Sequence, residues 1–315
     1  MKIVIMESLG VSREVMQSLQ RPFEEEGHVF CEYARTTDTA ALIEEAKDAD
    51  AMILANMPMP AEVLEGCENL KYIDIAFTGV DHVAMENARR RNIIVSNASG
   101  YSNESVAELG VGLAIMLLRR VPQTEARCRA LGTKEGLVGN ELGSRTVGII
   151  GLGKIGSRSA ELFHAFGCRI LAHSRSLHAD APAYIEQVSK EELLRRSDLV
   201  ILHCPLNDST RGMIDKEALA LMKPTSFLIN LARGPVVKSQ DLADALNEGR
   251  IAGAAVDVFD KEPPLPAGEP LLSAKNTILT PHIAFASEES MCLRAEIVFD
   301  NLRAWMQGNP INLVR

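Results

Sequence analysis

Three ionisable side chains in the second half of the chain have the types needed for proton-coupled chemistry. Arg233 follows the apolar run "FLINLA", Glu262 lies in the loop beyond "AGAAVDVF", and His282 follows "NTILTP". An imidazole titrates near neutral pH and can donate a proton, and a neighbouring carboxylate favours its charged form and orients it. A guanidinium can bind a carboxylate and polarise a carbonyl. The set suits hydride reduction of a 2-oxo acid.

Each of these residues alone has a commoner explanation. A histidine after a strand is more often structural, and Arg–Glu pairs are frequent surface ion pairs of little energetic weight. The joint placement of the three after separate apolar runs is what favours catalysis, because the carboxyl ends of parallel strands form one ligand-binding edge.

A glycine motif in the same region predicts a dinucleotide site. Gly151, Gly153 and Gly156 form G-x-G-x-x-G, with Leu152, Lys154 and Ile155 between them, after the apolar run "TVGII" and before a helical pattern. This context is the one the fingerprint requires. The first glycine allows a tight turn, the second lets a pyrophosphate approach the backbone, and the third lets the helix pack on the sheet. The N–H groups that begin the helix would face the phosphates.

The end of the next strand carries no acidic residue. An Asp or Glu there would bind the ribose hydroxyls of NAD(H) and repel a 2′-phosphate, but this sequence has Ser174, Arg175 and Ser176. A guanidinium is a permanent planar cation that pairs with phosphate. We therefore expect NADP(H) to be preferred, with NAD(H) as the alternative.

The elements that position these residues alternate between strand and helix, which predicts an α/β fold with parallel sheets. The predicted strands of the first region cover 2–6, 28–34, 51–55, 72–77 and 92–98, and those of the second cover 145–150, 168–174, 198–204, 226–232, 252–258 and 277–282. Asp257 falls inside one of them. A single long helix is expected over 104–129, with Gly110 and Gly112 allowing close packing. The helical tail 287–308 is expected to return to the first region.

Composition excludes several other classes of function. The 315 residues carry a net charge of -9, which argues against nucleic acid or an anionic membrane as the main partner. No apolar run reaches the length of a membrane span. The six cysteines are scattered without a C-x-x-C pair, so we expect reduced thiols in a cytoplasmic protein and no metal site.

The sequence resembles the D-isomer-specific 2-hydroxyacid dehydrogenase family, in its short, glyoxylate/hydroxypyruvate reductase-like form. The matching segments follow the family's order and spacing: "FTGVDHV", "NASGYSNESVAELGVGLAI", "TVGIIGLGKIG", "LVILHCPLNDSTRGMID", "LINLARGPVV", "AAVDVFDKEPP" and "TPHIAFAS". The resemblance implies a Rossmann-type dinucleotide-binding domain, 101–285, inserted in a flavodoxin-like substrate-binding domain formed by 1–100 and 286–315.

The same resemblance implies roles for individual residues. It implies Arg233, Glu262 and His282 as the catalytic set, Asp257 as a ligand of the nicotinamide carboxamide, and Gly79 as a donor of backbone N–H groups to the substrate carboxylate. His203, Cys204 and Pro205 would line the adenosine pocket. Members of the family are usually homodimers, which here would involve 121–142.

Departures from the family pattern bear on the cofactor and the substrate. Ser174–Ser176 replaces the ribose-binding acid, and Phe285 stands where many members have Trp. Glu262 argues against the formate dehydrogenase branch, which has Gln there. From the end at Arg315 we expect no regulatory domain.

The residues expected to select the substrate are Thr78 and the loop of Asn56, Met57, Pro58 and Met59. No cation appears in this loop, which favours a small unphosphorylated 2-oxo acid such as glyoxylate or hydroxypyruvate. The two methionines could equally be packing residues, since Met often fills irregular gaps. Two other functions stay open: an NAD-dependent D-3-phosphoglycerate dehydrogenase-like enzyme and a non-enzymatic, nucleotide-sensing corepressor-like protein.

Overall fold

The computed structural model describes residues 1–314, which divide into two compact α/β units. The first unit comprises Met1–Ser102 and the chain from Ala286 onward, and the second comprises Asn103–Phe285. What each unit binds stays a prediction. Among the described residues, no helix has both the length and the apolar character needed to cross a membrane.

The first unit begins with alternating strands and helices: β1 (Lys2–Ile5), α1 (Arg13–Glu25), β2 (Val29–Glu32), α2 (Thr39–Ala46), β3 (Ala51–Leu54), α3 (Ala61–Gly66), β4 (Tyr72–Ile75), α4 (Met85–Arg90) and β5 (Ile94–Asn97). All neighbouring strands pair in parallel, in the order β2-β1-β3-β4-β5. This is the flavodoxin-like strand order.

The second unit contains α5 (Asn103–Leu118), α6 (Val121–Arg129), β6 (Thr146–Ile150), α7 (Lys154–Ala165), β7 (Arg169–His173), β8 (Ile185–Gln187), α8 (Lys190–Arg196), β9 (Leu199–Leu202), α9 (Lys216–Leu221), β10 (Phe227–Asn230), α10 (Ser239–Asn247), β11 (Gly253–Val256) and β12 (Thr277–Leu279). Its parallel sheet has the order β12-β11-β10-β9-β6-β7-β8. This is the doubly wound Rossmann arrangement with one added strand at the β12 edge. Both sheets confirm the predicted fold class.

The last helix, α11 (Glu288–Met306), completes the first unit. Ser287 caps it through a reciprocal bond with Ser290, and its apolar face packs on α1, β4 and β5. Nδ2 of Asn301 on α11 donates to Asp74 in β4 at 3.1 Å. Asp74 has no exposed surface, and its burial raises its pKa to about 8.

The single long helix predicted over 104–129 is wrong. α5 ends at Leu118 and α6 begins at Val121, because Arg120 between them adopts a left-handed backbone with φ of 52°. Pro122 explains the break: its ring would clash with the carbonyl of Leu118 four residues earlier, and it has no N–H to donate.

The packing predicted for the two glycines of α5 holds for one of them. A Cβ on Gly110 would lie 2.9 Å from Cδ1 of Ile201 and 3.3 Å from Cδ1 of Leu231, so the helix approaches the sheet closely there. A Cβ on Gly112 would meet nothing within 4 Å. The prediction is therefore confirmed for Gly110 and wrong for Gly112.

Candidate active site

The predicted cofactor and catalytic residues of the second unit all follow the carboxyl ends of its strands. The glycine loop follows β6, Ser174 follows β7, His203 follows β9, Arg233 follows β10, Asp257 and Glu262 follow β11, and His282 follows β12. β6 lies between β7 and β9, where the strand order reverses. Ligands of open α/β sheets bind outside the strand ends at this switch point. Asp257 lies one residue beyond β11, so its predicted place inside the strand is wrong.

The glycine turn leaves room on one side and is tightly packed on the other. Gly151 has φ of 100°, and a Cβ there would lie 2.6 Å from the backbone nitrogen of Cys204. A Cβ on Gly156 would overlap the carbonyl oxygen of Gly151, whereas a Cβ on Gly153 would meet nothing within 4 Å. These positions match the three steric roles of a dinucleotide-binding turn.

The start of α7 can accept an anion. The helix begins at Lys154 with no side-chain cap and no acidic residue in its first turn. The N–H groups of its first turn therefore have no side-chain partner, and the positive end of the helix dipole lies beside the open side of Gly153. This donor set fits the pyrophosphate of a nicotinamide dinucleotide, with the residues from Leu152 to Ile155 supplying the backbone.

The turn after β7 presents a cation and two hydroxyl residues. Oγ of Ser174 donates to the carbonyl oxygen of Ser176 at 2.7 Å, and the Arg175 side chain is exposed between them. The ring of His173 is held by the Val188 carbonyl, 3.2 Å from Nδ1, and so has a structural partner. No carboxylate occupies the position at which NAD-binding sites hold the ribose.

The end of β9 forms an uncharged wall beside the glycine turn. Nε2 of His203 lies 2.9 Å from Oγ of Ser159, and burial lowers the pKa of this histidine to about 3. Burial raises the pKa of Cys204 to about 11, so its thiol stays protonated at neutral pH. Pro205 is exposed at the start of the following loop. A neutral histidine and an unreactive thiol suit a binding wall and not a second acid or a nucleophile.

Arg233 is held in a turn that its neighbours define. Asn230, the last residue of β10, donates from Nδ2 to the carbonyl of Arg233 at 3.1 Å and accepts from the N–H of Ala232 at 3.1 Å. Nη1 of Arg233 donates to the Ala232 carbonyl at 2.9 Å. A Cβ on Gly234 would clash with the backbone of Phe259, so the turn lies against the loop that leads from β11 to Glu262.

The structure brings His282 and Glu262 together. Nδ1 of the imidazole lies 2.9 Å from Oε2 of the carboxylate, and the histidine side chain is 14% exposed. A carboxylate only accepts hydrogen bonds, so Nδ1 carries a hydrogen and Nε2 is the nitrogen left for proton exchange. Phe285 packs edge-on against the imidazole, with ring centroids 5.3 Å apart.

Asp257 anchors the loop that carries the histidine. Its carboxylate accepts from Oγ1 of Thr280 at 2.6 Å and from the N–H groups of Ile283 and Ala284 at 2.8 and 2.9 Å. It is fully buried, and burial raises its pKa above the ordinary value although these hydrogen bonds oppose the shift. Asp257 therefore already has three partners within its own unit. Thr280 and Asn230 are positioning residues that sequence reasoning missed; Asn230 ends the buried strand β10, and Thr280 follows the partly buried strand β12.

The predicted substrate residues lie at the carboxyl edge of the first unit. Thr78 and Gly79 follow β4, and the N–H groups of 78–80 make no hydrogen bond to any residue the structure describes. Asn56 follows β3 and is partly exposed. Met57 and Met59 are fully buried, so their side chains are packing residues, and the N–H of Met57 is already bonded to Oε1 of Glu7.

A cation lies beside this loop, contrary to the expectation of none. Nη1 of Arg35, which follows β2, donates to Oδ1 of Asn56 and to Oε2 of Glu7, each at 2.6 Å. Sequence reasoning named Asn56 but missed Arg35 and Glu7, because Arg35 lies 21 positions from Asn56 and 28 positions from Glu7 along the chain. A cavity of about 730 Å³ opens on another side of Glu7, between β1, α1 and β2, and none of the predicted substrate residues lines it.

Comparison with known proteins agrees with this geometry. The family described as "D-isomer specific 2-hydroxyacid dehydrogenase, NAD binding domain" matches residues 111–284. A hydroxypyruvate reductase of Blautia hydrogenotrophica is 34% identical over 305 residues, covering 90% of both chains. A glyoxylate reductase of Korarchaeum cryptofilum is 38% identical over 282 residues, covering 87% of this chain and 85% of that relative.

One solved structure is similar along its whole length. It is described as an acyclic imino acid reductase (Bsp5) in complex with NADPH and D-Arg, has a TM-score of 0.92 and 27% sequence identity, and covers 100% of both chains. Sequence and structure thus agree with the resemblance carried by the motifs. The chain belongs to the D-isomer specific 2-hydroxyacid dehydrogenase family and is an oxidoreductase that acts on CH–OH groups with a nicotinamide cofactor.

Proposed function

We propose that this chain reduces small unphosphorylated 2-oxo acids of the glyoxylate and hydroxypyruvate type, and that it prefers NADPH to NADH. The observation that carries the proposal is the contact of 2.9 Å between His282 and Glu262 at the sheet edge that also bears the glycine turn. The names of the relatives from Blautia and Korarchaeum support the substrate class.

The chain's own residues supply a proton and a binding site for the substrate acid. A bound reduced nicotinamide supplies hydride to the carbonyl carbon. His282 donates the Nε2 proton to the carbonyl oxygen as negative charge develops there, and Glu262 stabilises the imidazolium before that transfer. Arg233 binds the substrate carboxylate and polarises the carbonyl. In the first unit, the N–H groups at Thr78 and Gly79 are proposed as donors to a carboxylate group.

The cofactor preference rests on the turn after β7. Arg175 and the hydroxyls of Ser174 and Ser176 form a donor set for a 2′-phosphate, and no carboxylate opposes it. The Bsp5 structure is described with NADPH, which supports the same choice. His203, Cys204 and Pro205 are proposed to contact the adenosine part, and Asp257 the nicotinamide end through its loop.

We further propose that the chain forms a homodimer through 121–142. α6 buries none of its residues, and the following segment exposes Leu131 by 97% and Val138 by 77%. Large apolar side chains exposed along one segment mark an interaction surface. The cytoplasmic location stays a prediction from the scattered cysteines.

A panel of steady-state assays tests the function and the cofactor. Wild type is assayed with NADPH and NADH against glyoxylate, hydroxypyruvate, pyruvate and phosphohydroxypyruvate, beside Arg175→Ala and the control Arg169→Ala at the exposed start of β7. Losing a charged hydrogen bond costs about 1.5–3 kcal/mol, so Arg175→Ala is expected to raise KM for NADPH about 10- to 100-fold and to leave KM for NADH unchanged.

Other outcomes of the panel would contradict the proposal. Equal effects of Arg175→Ala on both nucleotides would refute the 2′-phosphate assignment. Turnover confined to phosphohydroxypyruvate with NADH would favour a phosphoglycerate dehydrogenase, and turnover of no 2-oxo acid would remove the proposed substrate class.

A further inference from the structure

The loop expected to select the substrate is supported by a buried carboxylate. Glu7, which follows β1, is 5% exposed, and its Oε1 accepts from the N–H groups of Ala55 and Met57 at 2.8 and 2.7 Å. These bonds fix the backbone on both sides of Asn56. The loop therefore presents the Asn56 side chain in one defined position instead of as a mobile surface group.

The same carboxylate orients a guanidinium toward solvent. Oε2 of Glu7 accepts from Nη1 of Arg35, and Oδ1 of Asn56 accepts from the same nitrogen, each at 2.6 Å. The arginine side chain is 48% exposed, so it is held at one nitrogen only. Its Nη2 and Nε make no hydrogen bond within the described part of the chain. Two groups of N–H donors are thus oriented and available to a ligand.

Arg35 follows β2, three strands from β4, but its Nη1 reaches Asn56, and strand order places the Asn56 loop next to the segment that holds Gly79. Arg35, Glu7, Asn56 and Thr78 follow β2, β1, β3 and β4, which are consecutive strands in the sheet. Neighbouring strands lie about 4.8 Å apart, so the Asn56 loop is one strand from the N–H groups proposed to hold the substrate carboxylate. A substituent on C3 of a 2-oxo acid extends over about this distance from the carboxylate.

We propose that Arg35 is a specificity-determining residue, whose outward N–H groups donate to a hydroxyl oxygen on C3 of the substrate. The proposal rests on the proposed function and narrows its substrate class to 3-hydroxy-2-oxo acids, with hydroxypyruvate as the smallest. Glyoxylate has no C3, and pyruvate carries a methyl group there that cannot accept a hydrogen bond.

The test compares kcat/KM for hydroxypyruvate with kcat/KM for pyruvate. Arg35→Met removes the donors, and Arg35→Lys keeps a positive charge beside Glu7 but removes the outward fork. Arg21→Met, an exposed arginine of α1 paired with Glu25, is the matched control. The ratio is expected to fall about 10- to 100-fold in both Arg35 variants and to keep its wild-type value in Arg21→Met, with the melting temperature of Arg35→Lys showing that the fold is retained.

A second measurement keeps the inference separate from the proposed function. Dissociation constants of D-glycerate and D-lactate are measured on the protein saturated with NADPH, where no reaction can occur. Loss of the preference for D-glycerate in Arg35→Lys supports the inference even if wild type reduces no 2-oxo acid, an outcome that would defeat only the proposed function. Wild-type ratios in both Arg35 variants, by turnover and by binding, would overturn it.

Discussion

At the scale of single residues, His282 has a strained backbone that Asp257 compensates. The histidine has φ of 56°, in the left-handed region that costs a non-glycine residue about 1–2 kcal/mol. Its N–H donates to the Asp257 carbonyl at 2.8 Å, while the Asp257 side chain accepts from the next two N–H groups. Several hydrogen bonds thus hold this strained backbone conformation, which fixes the orientation of the imidazole side chain.

Replacing His282 by Ala is expected to reduce kcat by about 10²- to 10⁴-fold, because the proton donor is lost. Binding of NADPH, measured by fluorescence titration, should be unchanged. Glu262→Gln keeps a hydrogen-bond acceptor but loses the charge, so a smaller reduction is expected. His164→Ala, an exposed histidine of α7, is the control. A His282→Ala enzyme with near-wild-type kcat would show that another group supplies the proton.

The sequence predicts residues that follow buried strands better than residues that meet through sheet order. Arg233, Glu262 and His282 could be selected because each polar residue follows an apolar run. The contact between Arg35 and Glu7 could not, because it depends on β1 and β2 being neighbours in a sheet. Met57 was open to two interpretations because alternation alone does not say which face of a loop is buried.

At the scale of secondary structure, different glycines of the turn after β6 serve the stability of the fold and the binding of a ligand. Gly156 lies against the Gly151 carbonyl inside the unit, whereas Gly153 borders open space at the start of α7. One glycine is needed by the fold itself, and the other is needed only when a ligand approaches.

Gly156→Ala is expected to destabilise the protein by about 1–3 kcal/mol through overpacking, which lowers the melting temperature by several degrees. Gly153→Ala should lower the melting temperature less than Gly156→Ala, since alanine is only a poorer N-cap for α7, but should weaken NADPH binding at least about tenfold, because the new methyl group occupies ligand space. Gly112→Ala, which also lies at an open position, is the control and should lower neither the melting temperature nor the affinity for NADPH. Equal losses of stability in the Gly153 and Gly156 variants would contradict this division.

Long and strongly apolar elements were predicted correctly, whereas short or polar elements were missed. Each strand predicted from an apolar run is present, with trimmed ends. β8 was missed because it has three residues, of which only Ile185 is buried. The break between α5 and α6 was missed because the sequence after Pro122 consists mostly of helix-forming residues, so the helical pattern was extended across the proline.

At the scale of the whole molecule, one buried carboxyl group couples stability to pH. Asp74 accepts from Asn301 of α11 and from Oη of Tyr72 at 3.2 Å, and its pKa is raised from 3.8 to about 8 by burial. Between these values the folded state holds a proton that the unfolded state releases. The free energy of unfolding therefore falls as pH rises through this window, by up to about 1.4 kcal/mol per pH unit.

Asp74→Asn removes this titration while keeping an acceptor for Asn301. Its melting temperature relative to wild type is expected to increase steadily from pH 4 to pH 8, measured by scanning calorimetry. Asp180→Asn, an exposed carboxylate of the second unit, should follow the wild-type curve. Parallel curves for wild type and Asp74→Asn would show that Asp74 is ionised in the folded protein.

The bond between Asn301 and Asp74 joins residues that are 227 positions apart, and the strand at Ser96 is bridged by Leu313. During synthesis the whole of Asn103–Phe285 leaves the ribosome before either contact can form. While the chain is being synthesised, the face of β4 that α11 covers in the folded protein therefore stays uncovered. By contrast, every residue of the second unit has been synthesised before α11 emerges. On the ribosome, the second unit should therefore complete its folding before the first unit, although synthesis of the first unit begins earlier.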